Sequence, residues 1–235
     1  MQIEEFNFKQ FSIQQQDCAM KVGTDGVLLG AWVNTDNVKT VLDIGTGTGL
    51  LALMIAQRTN NAIINAIEIE SQAARQAEGN ILRSPWASNI KVHHCSLADY
   101  QSQSLYDLIV CNPPFFLNSL ESEDRQRNLA RHQSELSDEA LIAFALKNLS
   151  DSGRLAVILP FDRGQQLLAY IEPFGLEVAR RCNVKGNHQK TPNRIMLELG
   201  RTPFTASESD ELAVREGSGY TSEYVQLTKD FYTIF

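Results

Sequence analysis

The feature that most constrains the fold is a regular alternation of strand-like and helix-like segments that begins at residue 40. A strand (TVLDI), a glycine-rich turn (GTGTG) and an apolar helix (LLALMIAQR) follow one another without a gap, and the alternation continues to residue 174. Such alternation predicts a doubly wound α/β fold built on a mostly parallel sheet. Two last strand-like runs, LEVARRCNV and RIMLELG, have no helix between them, which predicts an antiparallel hairpin at one edge.

The chain is expected to form a single domain, because no linker rich in Pro, Ser or Gly separates its segments. Residues 1–35 form an N-terminal extension, with a hairpin predicted by the period-2 pairs Phe6/Phe8 and Phe11/Ile13 and a helix capped by Thr24 that runs to about Trp32. Residues 36–203 form the core, and residues 204–235 form an acidic tail whose closing aromatics predict docking onto the body.

Several classes of protein are disfavoured by composition. No apolar run reaches eighteen residues, and the opening MQIEEFNFKQ is acidic where a signal peptide needs a basic start, so a cytoplasmic protein without a membrane span is expected. The four cysteines are far apart and form no C-x-x-C pair, which predicts buried free thiols and no metal site. They are Cys18, Cys95, Cys111 and Cys182.

The glycine-rich turn follows a strand that ends in Asp43 and Ile44, and it carries Gly45, Gly47 and Gly49. Glycine is needed where the backbone turns sharply or approaches a ligand closely. The dinucleotide pattern G-x-G-x-x-G fails because its last glycine falls on Leu50, and a Walker loop fails because the turn contains no lysine. The turn therefore favours a ligand that is not held through phosphate.

The pattern D-x-G-x-G-x-G resembles the class I S-adenosylmethionine-dependent methyltransferases, which implies a Rossmann-like methyltransferase sheet. The resemblance implies that Asp43 accepts a hydrogen bond from the ammonium of the methionine moiety. It further implies a carboxylate at the end of the next strand that holds the ribose hydroxyls. Glu68 and Glu70 lie on one face of that strand, so both stay candidates, with Glu68 first. Asp99 follows the third strand and is either an adenine contact or a turn aspartate.

A second motif, Asn112-Pro113-Pro114-Phe115, follows the buried strand YDLIVC. The Asn112 Oδ1 and the Pro113 carbonyl provide two acceptors for one NH2 group, which would favour a pyramidal nitrogen and stabilise developing positive charge. Phe115 would stack on a flat substrate. The alternative interpretation is an ordinary Asn-Pro turn.

The N-P-P-F motif resembles that of methyltransferases acting on amino groups: adenine N6, the N2 of guanine in ribosomal RNA, and the glutamine amide of release factors. Residues 21–32 (KVGTDGVLLGAW), 130–132 (ARH), 190–194 (K-x-P-x-R) and the closing YTxEY…DFY are together similar to the bacterial adenine-N6 methyltransferases of valine tRNA over nearly the whole chain. This resemblance implies methylation of the adenine 3′ of the anticodon. It also implies that Thr24 belongs to a segment closing over the cofactor, although Thr24 is equally a helix cap, and that Arg131 meets RNA or helps close the site.

The net charge of −7 argues against binding of nucleic acid by charge alone. Residues 180–201, however, hold six cationic side chains and one acidic one, a local charge of +5 that leaves −12 for the rest. This segment predicts a phosphate-contacting surface beside the cofactor site, and the alternative is a solvated hairpin. Its predicted RNA contacts are Arg180, Arg181, Lys185, Lys190 and Arg194.

The sequence thus favours a monomeric tRNA adenine-N6 methyltransferase with a flipped target base. Protein glutamine and ribosomal guanine methylation remain alternatives, although the chain lacks the extra substrate domains that usually accompany them. A cofactor-binding protein without activity is the alternative from another class, and the intact Asn112 and Asp43 speak against it.

Overall fold

A mixed sheet forms the centre of the fold in the computed structural model, which describes residues 5–16, 18, 20–113, 136–201 and 208–235. Within these residues the sheet has nine strands in the order β11-β10-β8-β9-β7-β6-β3-β4-β5, and β1 and β2 form a separate hairpin. The strands are β1 (Glu5–Asn7), β2 (Ser12–Gln14), β3 (Thr40–Ile44), β4 (Ile63–Glu68), β5 (Ile90–His94), β6 (Tyr106–Cys111), β7 (Leu149–Pro160), β8 (Glu177–Asn187), β9 (Arg194–Gly200), β10 (Glu208–Glu216) and β11 (Gly219–Tyr220).

Helices cover both faces of the sheet. They are α1 (Thr24–Trp32), α2 (Leu50–Arg58), α3 (Ser71–Leu82), α4 (Asp138–Asn148), α5 (Phe161–Ile171) and α6 (Ser222–Thr228), with a 3-10 turn at Glu172–Phe174. Successive strand residues point to opposite faces, so Val41 packs in the apolar cluster of α1, α2 and α3 whereas Leu42 packs in that of α4 and α5. Both faces of β3 are therefore buried, as the predicted doubly wound fold requires.

Strands β5, β4, β3, β6 and β7 are parallel, and β9 is antiparallel to both β7 and β8. The predicted antiparallel pair is confirmed, but it does not end the sheet. The C-terminal tail adds β10, parallel to β8, and β11 beyond it. The parallel strands place their carboxyl ends at one edge of the sheet, where a ligand site is expected.

The terminal segments pack together, as the aromatic tail predicts. Phe8 forms an isolated bridge with Tyr232 and stacks on its ring at 5.9 Å. Lys9 donates its Nζ to the carbonyls of Lys229 and Phe235 at 2.7 and 2.8 Å. The N-terminal hairpin and the tail thereby brace each other.

The N-terminal caps of α1 and α4 differ. Ser137 caps α4, since its hydroxyl accepts the N–H of Ala140 at 3.1 Å. The predicted Thr24 cap is wrong: Gly23 is the N-cap of α1, it makes no side-chain hydrogen bond, and Thr24 is the exposed first residue of the helix. None of the helices in the described ranges is long and apolar enough to cross a membrane.

Arginine side chains hold the C-terminal end of α1. Arg58 donates Nη1 to the carbonyls of Gly30 and Val33 at 2.9 and 2.6 Å. Arg180 donates to the Trp32 carbonyl at 3.0 Å and lies over the Trp32 ring, 4.4 Å from its centroid. The last carbonyls of a helix lack intrahelical partners, so these cations both satisfy and complement them.

Glu198 of β9 neutralises this cationic group from inside. Its side chain is fully buried, its Oε1 accepts the Asn34 N–H at 2.6 Å, and Arg180 and Arg154 approach it to 3.5 and 4.0 Å. Burial raises the pKa of Glu198, while the Asn34 N–H and the arginines oppose that rise. The carboxylate therefore links α1, β7, β8 and β9 at one point.

We predict that Glu198→Ala destabilises the protein by about 3 kcal/mol, because it leaves clustered arginines without their buried counter-charge. Urea unfolding followed by circular dichroism measures the loss. Glu78→Ala, at an exposed position of α3, is the control and is expected to change stability by less than about 0.5 kcal/mol. Equal losses in the two variants would contradict a central role for Glu198.

Candidate active site

The three glycines of the turn after β3 have positive φ angles of 69° at Gly45, 56° at Gly47 and 84° at Gly49. A Cβ at Gly45 or Gly47 would meet no atom within 4 Å, whereas one at Gly49 would lie 3.6 Å from Ala77 and 3.5 Å from Ile81. The positive φ favours glycine at all three positions, and at Gly49 a Cβ would make only ordinary van der Waals contact with α3. Gly45 and Gly47 instead border open space, which suits the close approach of a ligand.

Asp43 is fully buried at the end of β3, and its two carboxylate oxygens differ. Oδ2 accepts the Thr46 hydroxyl at 2.5 Å and the Ala52 N–H at 3.2 Å. Oδ1 is buried and accepts no hydrogen bond from the described residues. Burial raises the pKa of Asp43 from 3.8 to about 7, the hydrogen bonds from Thr46 and Ala52 lower it, and the charge of Glu68 adds to the rise. A cationic donor at Oδ1 would satisfy the buried oxygen and stabilise its charge.

Glu68 ends β4 and is 8% exposed, while Glu70 is an exposed residue at the N-cap of α3. The Glu68 Oε2 accepts the Gly47 N–H at 2.9 Å, and Oε1 accepts the Glu70 N–H at 3.0 Å. Glu68 is therefore the carboxylate that contacts the glycine turn, and the geometry favours it over Glu70 as the ribose ligand.

Asn80 is a positioning residue that the sequence analysis missed. It is 1% exposed, its Nδ2 donates to the carbonyls of Gln14 and Thr48 at 2.9 and 2.8 Å, and its Oδ1 accepts the Gln14 N–H at 2.9 Å. The amide thus ties the N-terminal hairpin to the glycine turn. Helical spacing could have indicated that Asn80 is buried, because it lies on the same face of α3 as the buried Ala73 and Ala77.

Two of the predicted cofactor ligands, Asp99 and Thr24, are exposed residues. Asp99 is exposed in a turn, where its Oδ2 accepts the Ser96 hydroxyl at 2.6 Å and its N–H donates to Ser96 Oγ at 3.1 Å. This geometry favours the turn-aspartate interpretation. Thr24 is the exposed first residue of α1, and its role in cofactor binding stays a prediction.

Asn112 and Pro113 follow β6, whose Cys111 is paired with Ile44 of β3. The two strand ends are neighbours, so Asn112 and Asp43 belong to the same edge of the sheet. The Asn112 Oδ1 is buried and accepts no hydrogen bond from the described residues. A Cβ added at Gly26 of α1 would lie 3.8 Å from Asn112 Nδ2, so this helix borders the amide closely. The other predicted residues of this region, Pro114, Phe115 and Arg131, lie outside the described residues.

The predicted RNA-contacting cations mostly have partners within the chain. Arg180 contacts Trp32 and Glu198 as described above. The others are Arg181, bonded to Asn183 Oδ1 at 3.1 Å; Lys185, paired with Glu211 at 2.6 Å; Arg194, paired with Asp25 at 2.8 Å; and Lys190, which is exposed. The physical reason is that distant acidic residues approach this segment: Glu198 of β9 pairs with Arg180, Glu211 of β10 with Lys185, and Asp25 of α1 with Arg194.

The fold and the strand-end site define a class I-type methyltransferase architecture. Solved structures of similar fold include a predicted O-methyltransferase from Agrobacterium tumefaciens, with a TM-score of 0.65 and 16% identity over 88% of this chain and 96% of that one. A glycopeptide N-methyltransferase complexed with S-adenosyl-L-methionine has a TM-score of 0.56 and 11% identity over 78% of this chain and 90% of that one. At these identities the likeness establishes the fold.

Sequence comparison establishes the family. Residues 18–169 match the model of the methyltransferase small domain. A tRNA1(Val) (adenine(37)-N6)-methyltransferase from Parabacteroides distasonis is 44% identical over 230 residues, covering 97% of each chain. One from Porphyromonas gingivalis is 45% identical over 245 residues, covering 97% of this chain and 94% of that one. The chain therefore belongs to the tRNA1(Val) (adenine(37)-N6)-methyltransferase family within the methyltransferase small domain family.

The residues at the site fit the cofactor of this family, S-adenosylmethionine. The Asp43 Oδ1, which accepts no hydrogen bond within the described ranges, suits an ammonium group, and the space that these ranges leave open beside Gly45 and Gly47 suits a ligand against the backbone. Glu68, held at the edge of the turn, suits a pair of hydroxyl groups.

We predict opposite effects of Asp43→Asn on stability and on cofactor binding. The folded-state pKa of about 7 lies above the ordinary 3.8, so this carboxyl loses stabilisation as pH rises between these values and is destabilising at pH 8. Asparagine removes the buried charge, so the ligand-free variant should melt higher than wild type at pH 8 and nearly equally at pH 4. Its affinity for S-adenosylmethionine should fall by about 10- to 100-fold.

Thermal melts at the two pH values and titration calorimetry measure these effects. Asp162→Asn, at an exposed position of α5, is the control and should change neither quantity. Unchanged cofactor affinity in Asp43→Asn would overturn the role assigned to Asp43.

Proposed function

We propose that the protein transfers a methyl group from S-adenosylmethionine to the N6 amino group of an adenine in tRNA, and that this adenine is position 37 of tRNA1(Val). The observation that carries the proposal is the buried Asn112 Oδ1, which accepts no hydrogen bond from the residues that the structure describes and lies at the strand end beside Asp43. The named activity of the relatives, 44% identical over 97% of the chain, supports the choice of substrate.

The proposed chemistry assigns each side chain one task. The cofactor supplies an electrophilic methyl group on a sulfonium. Asp43 would accept a hydrogen bond from the ammonium of the cofactor, and Glu68 would accept hydrogen bonds from the two ribose hydroxyls. The Asn112 Oδ1 and the Pro113 carbonyl oxygen each accept a hydrogen bond from one N–H group of the adenine amino group. The two acceptors orient the nitrogen lone pair and stabilise the positive charge that develops on N6.

A general base is not required by this scheme. The N6 nitrogen becomes acidic as it gains the methyl group, so its proton can pass to water. Thr46 and Ala52 instead hold Asp43 in place, and Gly26 of α1 lies beside the Asn112 amide. Most of the catalytic effect is therefore assigned to fixed dipoles and orientation.

The RNA is proposed to approach the carboxyl edge of the sheet. The turn between β8 and β9 lies at that edge, because Arg194 at the start of β9 pairs with Pro160 at the end of β7. Lys190 is exposed in this turn and is proposed to contact phosphate. Arg131 is proposed as a second contact, and Phe115 as the surface on which the flipped base stacks. We further propose that the protein acts in the cytoplasm as a monomer.

Identification of the methylated product tests the function. Purified protein and radiolabelled S-adenosylmethionine are incubated separately with tRNA, ribosomal RNA and release factor that lack the native methyl groups, and the labelled products are digested and separated. We expect label on N6-methyladenine from tRNA1(Val). Label on N2-methylguanine or methylglutamine, with none on N6-methyladenine, would sink the proposal, and absence of all transfer would favour a non-catalytic protein.

We predict that Asn112→Ala loses turnover while it retains the cofactor. Removal of one fixed acceptor in such a site costs about 100- to 1,000-fold in kcat, whereas the cofactor contacts of Asp43 and Glu68 stay intact. Single-turnover kinetics measures the loss, and calorimetry should give a cofactor Kd within about twofold of wild type. Asn60→Ala, at an exposed position after α2, is the control. Abolished cofactor binding in Asn112→Ala would contradict the assigned role.

A further inference from the structure

An ion pair joins the sheet to the first turn of α1. Arg194 Nε donates to Asp25 Oδ2 at 2.8 Å, with side-chain exposures of 29% and 23%. Arg194 opens β9, and Asp25 is the second residue of α1. The same guanidinium donates Nη1 to the Asn193 carbonyl at 3.0 Å, which fixes its direction. Two contacts on a partly buried arginine make this pair more ordered than an isolated surface salt bridge.

The helix turn that this pair holds borders the proposed catalytic amide. Gly26 follows Asp25 directly, and a Cβ there would lie 3.8 Å from Asn112 Nδ2 and 3.0 Å from Leu50 Cδ2. The N-cap, Gly23, provides no side-chain hydrogen bond to order this end of the helix. The opposite end of α1 is fastened by arginines, so the Arg194–Asp25 pair is the corresponding attachment beside the site.

We propose that Arg194 is a positioning residue that acts through Asp25, holding Gly26 against Asn112 so that the amide oxygen stays directed at the substrate nitrogen. This inference rests on the proposed function, because it assigns Arg194 to the methyl-transfer step. It replaces the interpretation of Arg194 as an RNA contact. A residue that orients the amide affects kcat, whereas a phosphate contact affects tRNA affinity and its salt dependence.

A double-mutant cycle on Asp25→Asn and Arg194→Gln tests the inference. We expect each single variant to lower kcat about tenfold, and the double variant to lower it no further, because both remove the same interaction. The KM for tRNA, the tRNA Kd and its salt slope should stay within about twofold of wild type. Arg201→Gln is the charge-matched control: it is exposed and follows β9 at the opposite edge of the sheet.

The charge swap Asp25→Arg with Arg194→Asp should recover most of the kcat that the single reversals lose. Independent losses in the cycle would overturn the inference, as would weaker tRNA binding with a flatter salt dependence in Arg194→Gln alone. Thermal melts identify any variant that fails to fold, and Arg194→Met, which keeps an unbranched apolar stem but removes the charge, then replaces Arg194→Gln in the cycle with the same expected coupling.

Amide hydrogen exchange separates this inference from the proposed function, since it requires no substrate. In the ligand-free protein, residues 24–28 should exchange faster in Asp25→Asn and Arg194→Gln alike, and at the wild-type rate in Arg201→Gln. If the wild-type protein makes no N6-methyladenine, the proposed function is wrong, while hydrogen exchange still shows whether the Arg194–Asp25 pair orders the first turn of α1. If it makes N6-methyladenine and exchange is unchanged in both variants, the inference fails alone.

Discussion

The Asp43 carboxylate lies at the carboxyl end of the central strand β3, and only one of its oxygens accepts hydrogen bonds from the described residues. An ionised carboxyl in that position is costly, as its pKa of about 7 reflects. Two hydrogen bonds offset part of this cost, because the Thr46 hydroxyl in the turn and the Ala52 N–H in α2 both donate to the carboxylate. The fold thus keeps a preorganised acceptor, and the ammonium of the proposed cofactor would relieve its unfavourable burial, a common compromise between stability and function.

Helix α1 borders the site on a second side, and it can do so because it packs closely against α2. A Cβ at Gly30 would lie 2.7 Å from Met54 Sδ, and one at Gly26 would lie 3.0 Å from Leu50 Cδ2. The two glycines are four residues apart and face two α2 residues with the same spacing, so the helices approach closely along one face. Arginines then fasten the far end of α1 through its carbonyls, and Glu198 keeps those cations neutralised. The position of α1 is therefore set by contacts from α2, β8 and β9, of which the two strands are distant in sequence.

The features that were predictable from the sequence are those encoded within a few neighbouring residues. The strand-turn-helix order, the glycine spacing beside Asp43 and the Asn112-Pro113 pair each lie in one short segment, and all are found at the carboxyl edge of the sheet. The choice of Glu68 over Glu70 needed the hydrogen bond to Gly47, which no pattern of alternation contains.

The side-chain partners that the sequence could not indicate lie where distant segments meet. Arg194 and Asp25 are 169 positions apart, and Arg180 and Trp32 are 148 apart, so a count of local charge assigned both arginines to RNA. Their partners show that an excess of cations in a segment measures its composition, not the charge it presents. Lys185 makes the same point, since the acidic strand β10 supplies its partner Glu211. Because Arg180, Lys185 and Arg194 are paired inside the chain, the segment presents less positive charge to RNA than its composition implies. Selectivity would then depend on which nucleotide can leave its stack and enter beside Asn112, so the geometry of the site carries more of the specificity than the charge of the surface.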